Sequence, residues 1–276
     1  MTKITVIINP IDKRVENTIA KATIIDGNYS KLTDNQIDEL LKYLVKNKIN
    51  LTIADVLSIR SSYMSMKIMI NNRRLLNSID KFYKMYKKNI TIKQISEQFD
   101  LSPILLIKHI FSKMKFSKDN VRDFFMGNNL KRLTQFDTDQ LTFAIDHDIF
   151  NKVIQTEQMM HSENFELLIE KYLKMHKIKY KTQNDLSKEQ IKKYGKAINT
   201  PDFLILSDFF INKKKINWID AKNFYGANTK LINKKVTKQV RKYIDEYGFG
   251  SIIFSLNFSK ELHFDDVLLV SFKSMI

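Results

Sequence analysis

Hydrophobic residues in the first 150 positions of the chain recur every three or four residues, which is the spacing of amphipathic helices. The clearest example follows Thr33, where apolar positions continue to about Asn47 and Thr33 itself is a residue type that caps helices. The same spacing predicts further helices at residues 53–60, 64–86, 120–125 and 137–149. This half of the chain is therefore predicted to be almost entirely helical.

Two short helices separated by a tight turn are predicted between residues 91 and 114. Thr91 precedes the first helix, and Ser102 caps the second, which has Pro103 at its first position. This is the spacing of a helix-turn-helix, whose second helix enters the major groove in DNA-binding proteins. The second helix is mostly apolar here, and its long polar side chains are Lys108, His109 and Lys113. We therefore favour packing over base reading for this helix.

From residue 162 onward the pattern alternates between helices and strands. Helices are predicted at 162–173, 185–194 and 229–247, and strands at 178–181, 201–206, 216–222, 251–254 and 267–272, with a turn at 211–215. This alternation is typical of a mixed sheet covered by helices, which is an α/β domain. Because 276 residues suggest about two domains, we predict a helical nucleic-acid-binding domain at 1–155, with a helix-turn-helix-like segment at 91–114, and an α/β domain at 156–276.

Charge adds a functional expectation because it is unevenly distributed. The chain has 46 Lys and Arg against 30 Asp and Glu, a formal net charge of +16. Residues 60–88 carry +7 and residues 171–242 carry +14, while the remainder is slightly acidic. Either block alone is consistent with a solvated face, but two separated blocks favour two contacts on one long polyanion such as nucleic acid.

Composition also excludes several classes of protein. The absence of cysteine excludes disulfides, cysteine-ligated zinc, iron–sulfur clusters and thiol nucleophiles. With six glycines there is no glycine-rich phosphate loop. The chain has no apolar run of about 20 residues and no signal-peptide pattern. We expect an intracellular protein, nuclear or cytoplasmic, that is neither secreted nor bound to a membrane.

Two aspartates and a lysine form the candidate chemical site. Asp202 follows Pro201 at the start of a predicted strand, and Asp220-Ala221-Lys222 follows eighteen positions later. Side chains alternate along a strand, so Asp220 and Lys222 project to the same face. A hairpin would bring Asp202 beside them, and a carboxylate of the 162–173 helix could complete the group. Such a cluster is costly unless a cation neutralises it, and carboxylate oxygens suit Mg²⁺ or Mn²⁺.

The sequence around these residues resembles a known family. Asn199-Thr200-Pro201-Asp202-Phe203 and the segment from Asn217-Trp218-Ile219-Asp220-Ala221-Lys222 to Gly226 are similar to the codanin-interacting nuclease family, which is known for its Thr-Pro-Asp motif. The similarity continues at 239–243 and 101–103 and covers roughly residues 30–275. It implies a PD-(D/E)xK, or restriction-endonuclease-like, domain preceded by a helical domain.

The resemblance also implies roles for individual residues. Asp202, Asp220, the Ala221 backbone carbonyl and Glu166 would hold Mg²⁺ or Mn²⁺, Lys222 would be the catalytic lysine, and Gln239 and Tyr243 would position lysine, water or phosphate. Glu163, one turn before Glu166, is an alternative helical ligand. The animal members have glutamate where this chain has Asp220, and a small residue, often glycine, where this chain has Ser162. Both departures bear on metal affinity.

The implied activity is metal-dependent hydrolysis of nucleic acid, with DNA expected rather than RNA and with selectivity for structure. The bases expected to bind nucleic acid are Lys230, Lys234, Lys235, Lys238, Arg241, Arg73 and Arg74. The resemblance further implies a codanin-like protein partner, as in animal members, and allows a homodimer, as in junction-cutting relatives of the superfamily. The alternatives are a non-cleaving nucleic-acid-binding or scaffold protein that keeps the fold, and a helix-turn-helix regulator.

Overall fold

The computed structural model describes residues 1–150 and 152–276, with no description of the side chains of residues 152–158. The contacts between residues divide the chain into two compact units. The sheet unit consists of Met1–Ile19, Leu51–Ser62 and Met159–Ile276, and the helical unit of Ala20–Asn50 and Tyr63–Gln158. The boundary predicted at residues 155–156 lies outside the residues whose side chains are described.

The helices and strands alternate much as the sequence predicts. The helices are α1 (Lys13–Thr23), α2 (Asp34–Lys46), α3 (Ile53–Asn77), α4 (Ile79–Lys87), α5 (Ile92–Phe99), α6 (Pro103–Lys113), α7 (Lys118–Phe125), α8 (Gln135–Asp146), α9 (Lys152–Met175), α10 (Gln183–Tyr194) and α11 (Lys230–Tyr247). The strands are β1 (Thr2–Ile4), β2 (Tyr180–Thr182), β3 (Phe203–Ile205), β4 (Phe209–Ile211), β5 (Lys214–Lys215), β6 (Trp218–Lys222), β7 (Gly250–Phe254) and β8 (Val267–Ser271). Single turns of 3₁₀ helix occur at Leu130–Arg132 and Phe272–Ser274.

Local capping explains where several helices of the helical unit begin. Thr33 and Thr91 each accept a backbone N–H of the first turn in a capping box, so α2 and α5 begin at the next residue. Ser102 caps α6, and Pro103 occupies its first position, where no backbone N–H is needed. The two helices with a short turn between residues 91 and 114 are therefore confirmed.

The interior of the helical unit is built largely by α6. Its apolar residues, among them Leu106, Ile110 and Phe111, lie in one buried cluster with Phe82 of α4 and Phe124 of α7. A helix that contributes so many core side chains has few left to reach a base edge. The structure therefore agrees with packing as the main role of α6.

The long helix of this region differs from the prediction. The sequence indicates separate helices at 53–60 and 64–86, whereas α3 runs without interruption from Ile53 to Asn77 and the break falls at Ser78. Within α3, Ser62 donates its hydroxyl to the Ser58 carbonyl, so a residue that favours turns is satisfied inside the helix.

The sheet unit is built around a five-stranded mixed sheet in the order β2-β3-β6-β7-β8. β3 is antiparallel to both of its neighbours, β2 and β6, whereas β6, β7 and β8 are parallel, with α11 as the crossover between β6 and β7. Phe165 and Ile169 of α9 share a buried cluster with Ile219 of β6, and Val236 and Val240 of α11 share another with Trp218 and its neighbours. The helices thus cover both faces of the sheet, which confirms an α/β arrangement.

The N-terminal residues belong to the sheet unit rather than to the helical one. β1 pairs in parallel with β4, and the Tyr225 hydroxyl donates to the buried Glu16 carboxylate at 2.9 Å. The predicted turn at 211–215 is shorter than expected, because Phe209–Ile211 and Lys214–Lys215 are short strands on either side of it. Asn212 and Lys213, both with positive φ, form the turn itself. Within the first 150 residues β1 is thus a short strand that the sequence pattern did not predict, and the rest of this half is helical as expected.

No helix within the described part of the chain has both the length and the apolar character needed to cross a bilayer.

Gly250 is a position of β7 where a side chain has no room. A Cβ atom there would lie 2.0 Å from Cε2 of Trp218, a fully buried side chain whose indole N–H donates to the Gly248 carbonyl. The strand and the indole therefore pack so closely that only glycine fits.

We expect Gly250→Ala to lower the free energy of unfolding by about 3 kcal/mol or more, because the added methyl overlaps a packed ring. The measurement is urea unfolding followed by the fluorescence of Trp218, the single tryptophan. Gly195→Ala is the control, since that position also lies in the sheet unit but has open space and only a positive φ of 74°. Equal losses for the two variants would contradict the packing explanation.

Candidate active site

The candidate site lies where β3 begins and β6 ends. The two strands pair antiparallel with Phe203 opposite Ile219 and Leu204 opposite Trp218. Asp202 and Asp220 are the next residues on each strand, so the pairing brings the two aspartates opposite each other. The adjacency that the sequence predicts for them is confirmed.

Asp202 is fixed by its neighbour strand. Its Oδ2 accepts the Ala221 backbone N–H at 2.7 Å. Burial, followed by the nearby negative charge of Asp220, raises the pKa of Asp202 to about 7. With such a pKa the ionised form of Asp202 is disfavoured at neutral pH unless a cation lies close to it.

Asp220 is fully buried and depends on Lys222 for its counter-charge. The Lys222 ammonium lies 2.5 Å from Asp220 Oδ2 as an ion pair, and among the described residues this oxygen has no partner in normal hydrogen-bond geometry. Burial raises the pKa of Asp220, and the positive charge of Lys222 opposes that rise. The face that β6 presents toward α11 therefore holds a compact pair of opposite charges.

Gln239 of α11 joins this pair. Its amide oxygen accepts from Lys222 Nζ at 3.2 Å, and its amide nitrogen donates to Asp220 Oδ1 at 2.9 Å and to the Tyr243 hydroxyl at 3.0 Å. Tyr243 in turn donates to the Thr200 carbonyl at 3.3 Å. A chain of hydrogen bonds thus runs from the catalytic-lysine candidate to the loop that carries Asp202.

A second set of contacts, for which no sequence pattern offers a signal, holds the same loop. Asn199 Nδ2 donates to Glu246 Oε2 and to the Lys242 carbonyl, both at 2.6 Å. Gln190 of α10 accepts the Asn199 backbone N–H at 3.0 Å and donates to its carbonyl at 2.7 Å. Gln190 stands in a polar helix and is indistinguishable there from its solvated neighbours. The position of Asp202 therefore depends on two helices as well as on β6.

Glu166 borders a cavity that Asp202 also lines. The cavity has a volume of about 540 Å³, and its lining residues include Glu163, Glu166, Thr182 and Asp202. Burial and the charges of Asp220 and Glu163 raise the pKa of Glu166. Glu166 is half-buried whereas Glu163 is exposed. Both remain candidates for the helical carboxylate.

The donor atoms of this site suit a hard divalent cation in kind. Asp202 and Asp220 offer carboxylate oxygens whose ionised forms are disfavoured, and Asp220 Oδ2 lacks a normal hydrogen bond. In the described part of the chain, however, no three acidic or histidine side chains are grouped closely enough to hold a metal ion. Lys222 pairs with Asp220 as its cation, and Glu166 lines the cavity beside Asp202, where the charge of Asp220 contributes to raising its pKa.

The basic residues predicted to contact nucleic acid fall in both units. Five of them are exposed along α11, namely Lys230, Lys234, Lys235, Lys238 and Arg241. Lys235 precedes Gln239 by one helical turn, and its charge lowers the pKa of Asp220. Arg73 is exposed on α3, whereas Arg74, also exposed, donates to the Phe99 carbonyl at 2.6 Å. Trp218 is fully buried and packs against Tyr243, so it fills the core rather than contacting nucleic acid.

Comparison with known proteins places these residues in a family. The profile of the family described as "Protein of unknown function TPD sequence-motif" matches residues 134–272, which include the Thr-Pro-Asp segment, β6 and α11. An uncharacterized protein of Acanthamoeba polyphaga mimivirus is 29% identical over 113 residues. That alignment covers 40% of this chain and 39% of the viral protein. No solved structure matches.

We expect Lys222→Met to destabilise the sheet unit by about 3 kcal/mol, because it leaves the Asp220 charge buried without a partner. Adding Asp220→Asn should recover much of that loss, since the double variant no longer buries the Asp220 charge without a partner. Urea unfolding followed by Trp218 fluorescence measures the coupling in a double-mutant cycle.

Lys215→Met is the matched control, because Lys215 pairs with Asp208 at 2.8 Å in an exposed ion pair of the same unit. It should leave the unfolding midpoint almost unchanged. A Lys222→Met variant as stable as this control would show that Asp220 does not need its lysine.

Proposed function

Because this chain belongs to the family defined by the TPD sequence motif, and because its Thr-Pro-Asp and Asp-Ala-Lys segments meet in one buried group, we propose that it is a metal-dependent nuclease with a PD-(D/E)xK domain. The substrate would be nucleic acid, with DNA favoured. The observation that carries the proposal is the connected set of Asp202, Asp220, Lys222 and Gln239. Gathering the buried Asp220 and the half-buried Asp202 and Lys222 at one point is costly and brings no packing advantage.

In this proposal Asp202 and Asp220, with the Ala221 backbone carbonyl and either Glu166 or Glu163, hold Mg²⁺ or Mn²⁺. When bound, the cation supplies positive charge that offsets the negative charge gathering on the phosphate and lowers the pKa of a nearby water.

The remaining residues of the site would orient the attacking water and the phosphate and assist proton transfer. Hydrolysis requires a water oxygen to bond to phosphorus while the bond from phosphorus to the leaving sugar oxygen breaks, with loss of a proton by the water and gain of one by the leaving group. Lys222 is the group that orients the water or stabilises charge on the phosphate. Gln239 holds the lysine amine, and Tyr243 holds the Thr200 carbonyl, so that amine and Asp202 keep their spacing.

A second candidate function is supported by a specific observation. Lys222 already pairs with Asp220, and no group of three potential metal ligands is assembled among the described residues. A protein that binds nucleic acid or serves as a scaffold, and keeps the fold without cutting, would have this arrangement. The helix-turn-helix regulator is less well supported, because most of α6 is buried.

We expect the protein to nick or degrade DNA in Mg²⁺ or Mn²⁺, and we expect Asp202→Ala and Lys222→Ala to reduce the rate by about a hundredfold or more. Branched, single-stranded and duplex DNA would be compared, with product measured on denaturing gels. Asp208→Ala and Lys215→Ala are matched controls, because these residues form an exposed ion pair in the same unit.

Cutting that survives both site variants would rule out this site. No cutting of any substrate with either metal, by protein that still binds DNA, would favour the scaffold alternative.

We also expect removal of charge at Lys234, Lys235, Lys238 and Arg241 to weaken binding equally across DNA sequences, because these bases would contact phosphates. The slope of log Kd against log salt should fall by about one for each phosphate that the variant no longer neutralises. Fluorescence anisotropy with several duplexes in EDTA measures both quantities. The matched control removes the charges of four other exposed lysines, which lie on α10 and just after it: Lys188, Lys192, Lys193 and Lys196. Weaker binding to one sequence only would contradict backbone contacts.

A further inference from the structure

A cavity in the helical unit lies between α6 and α7, and none of its lining residues belongs to the proposed nuclease site. Its volume is about 400 Å³, and Phe150 closes one side. This size falls within the range of small-ligand sites in proteins. The exposed face of α6, which is the second helix of the helix-turn-helix-like pair, forms one wall.

The rim of this cavity is basic. Its charged lining residues are Lys108 of α6 and Lys118 and Arg122 of α7, and the described residues that line it include no carboxylate. Arg122 forms an exposed ion pair with Asp119 at 3.0 Å, a kind of contact that contributes little and that a stronger anion can replace. The charges therefore favour an anionic ligand.

The interior of the cavity is apolar and aromatic. Phe125 of α7 and Phe150 contribute rings, and aliphatic side chains of both helices complete the walls. Lys108 Nζ lies 4.9 Å from the centre of the Phe125 ring, so positive charge and ring face occur side by side. A small hydrated anion would leave this surface unused, which favours an anion that carries a flat apolar body.

Polar groups beside the rings distinguish a nucleobase from a hydrocarbon chain. Burial and the charge of Lys108 lower the pKa of His109, so its ring is uncharged at neutral pH and offers one donor and one acceptor. Ser112 donates to the Lys108 carbonyl at 2.9 Å and keeps its capacity to accept. A base edge can pair with such groups, whereas an acyl chain would leave them unpaired.

The walls are held in place from behind by Asp148. Its Oδ2 accepts from the Ser102 hydroxyl at 2.5 Å and from the Ile104 N–H at 3.3 Å, and its Oδ1 accepts the Phe150 N–H at 2.9 Å. One buried carboxylate thus fixes Phe150 relative to the start of α6. The cavity is part of the folded unit rather than a gap between mobile side chains.

We propose that this cavity binds a nucleoside phosphate, with the base against Phe125 and Phe150 and the phosphate on Lys118 and Arg122. The ligand is either a free nucleotide or one residue of a single strand, since both present the same chemistry. All the lining residues belong to the helical unit, so the site does not depend on whether the protein cuts nucleic acid.

Isothermal titration calorimetry on the full chain in EDTA tests the proposal. Deoxyadenosine monophosphate should bind, and deoxyadenosine and inorganic phosphate should each bind about tenfold more weakly or worse, because each lacks one half of the recognised group. A short single-stranded oligodeoxyadenylate that binds more tightly than the mononucleotide identifies a strand as the source, and equal affinity identifies the free nucleotide.

Variants assign the binding to this cavity. The Lys118→Gln/Arg122→Gln variant should bind the mononucleotide about tenfold more weakly or worse, because it loses charge-assisted contacts to the phosphate. Lys42→Gln/Lys46→Gln removes two exposed charges, also four residues apart, from α2 of the same unit outside the cavity and should have little effect. All substituted side chains are exposed, and thermal unfolding checks that each variant remains folded.

Three outcomes would overturn the proposal. One is binding of inorganic phosphate as tight as that of the nucleotide. Another is preferential binding of dodecanoate that the Lys118→Gln/Arg122→Gln variant abolishes. The third is equal nucleotide affinity in the Lys118→Gln/Arg122→Gln and Lys42→Gln/Lys46→Gln variants, which would place any binding elsewhere.

Discussion

The buried charge of Asp220 constrains the sheet unit more than any other feature. An isolated carboxylate in such a position would cost several kcal/mol of folding free energy. Lys222 supplies the counter-charge from the same strand and the same face, since side chains alternate along β6. Gln239 then bonds both charged groups, and Tyr243 continues to the Thr200 carbonyl. A single charge therefore links the end of β6, the orientation of α11 and the loop before β3.

Asp202, unlike Asp220, is not offset by a lysine on its own strand. Its carboxylate accepts one backbone hydrogen bond but has no ammonium of its own, and burial beside Asp220 raises its pKa to about 7. Well-packed apolar residues in place of buried charges are often as stable or more stable. The proposed cation would account for the cost of both aspartates, whereas the ion pair with Lys222 alone accounts only for Asp220. The choice between nuclease and scaffold therefore depends on Asp202.

The helical unit contains the spacing of a helix-turn-helix without the exposed recognition helix that usually accompanies it. The spacing at residues 91–114 is that of a helix-turn-helix, yet α6 places Leu106, Ile107, Ile110 and Phe111 in the core. Its remaining polar residues border the cavity toward α7 instead of forming a row that could follow a groove. Recognition by this unit is therefore better sought in a pocket than along the helix.

The sequence alone determined the features that depend on neighbours a few residues away. Capping by Thr33, Thr91 and Ser102 set where helices begin, because each cap is a hydrogen bond within one turn. Strand alternation and hairpin spacing likewise determined that Asp202, Asp220 and Lys222 would meet. Only the tertiary structure decided that β1 pairs with β4, that Gln190 and Glu246 hold Asn199, and that Glu166 shares a cavity with Asp202. These partners are distant in the sequence or lie on different elements, so their choice depends on how the whole unit packs, which no local pattern encodes.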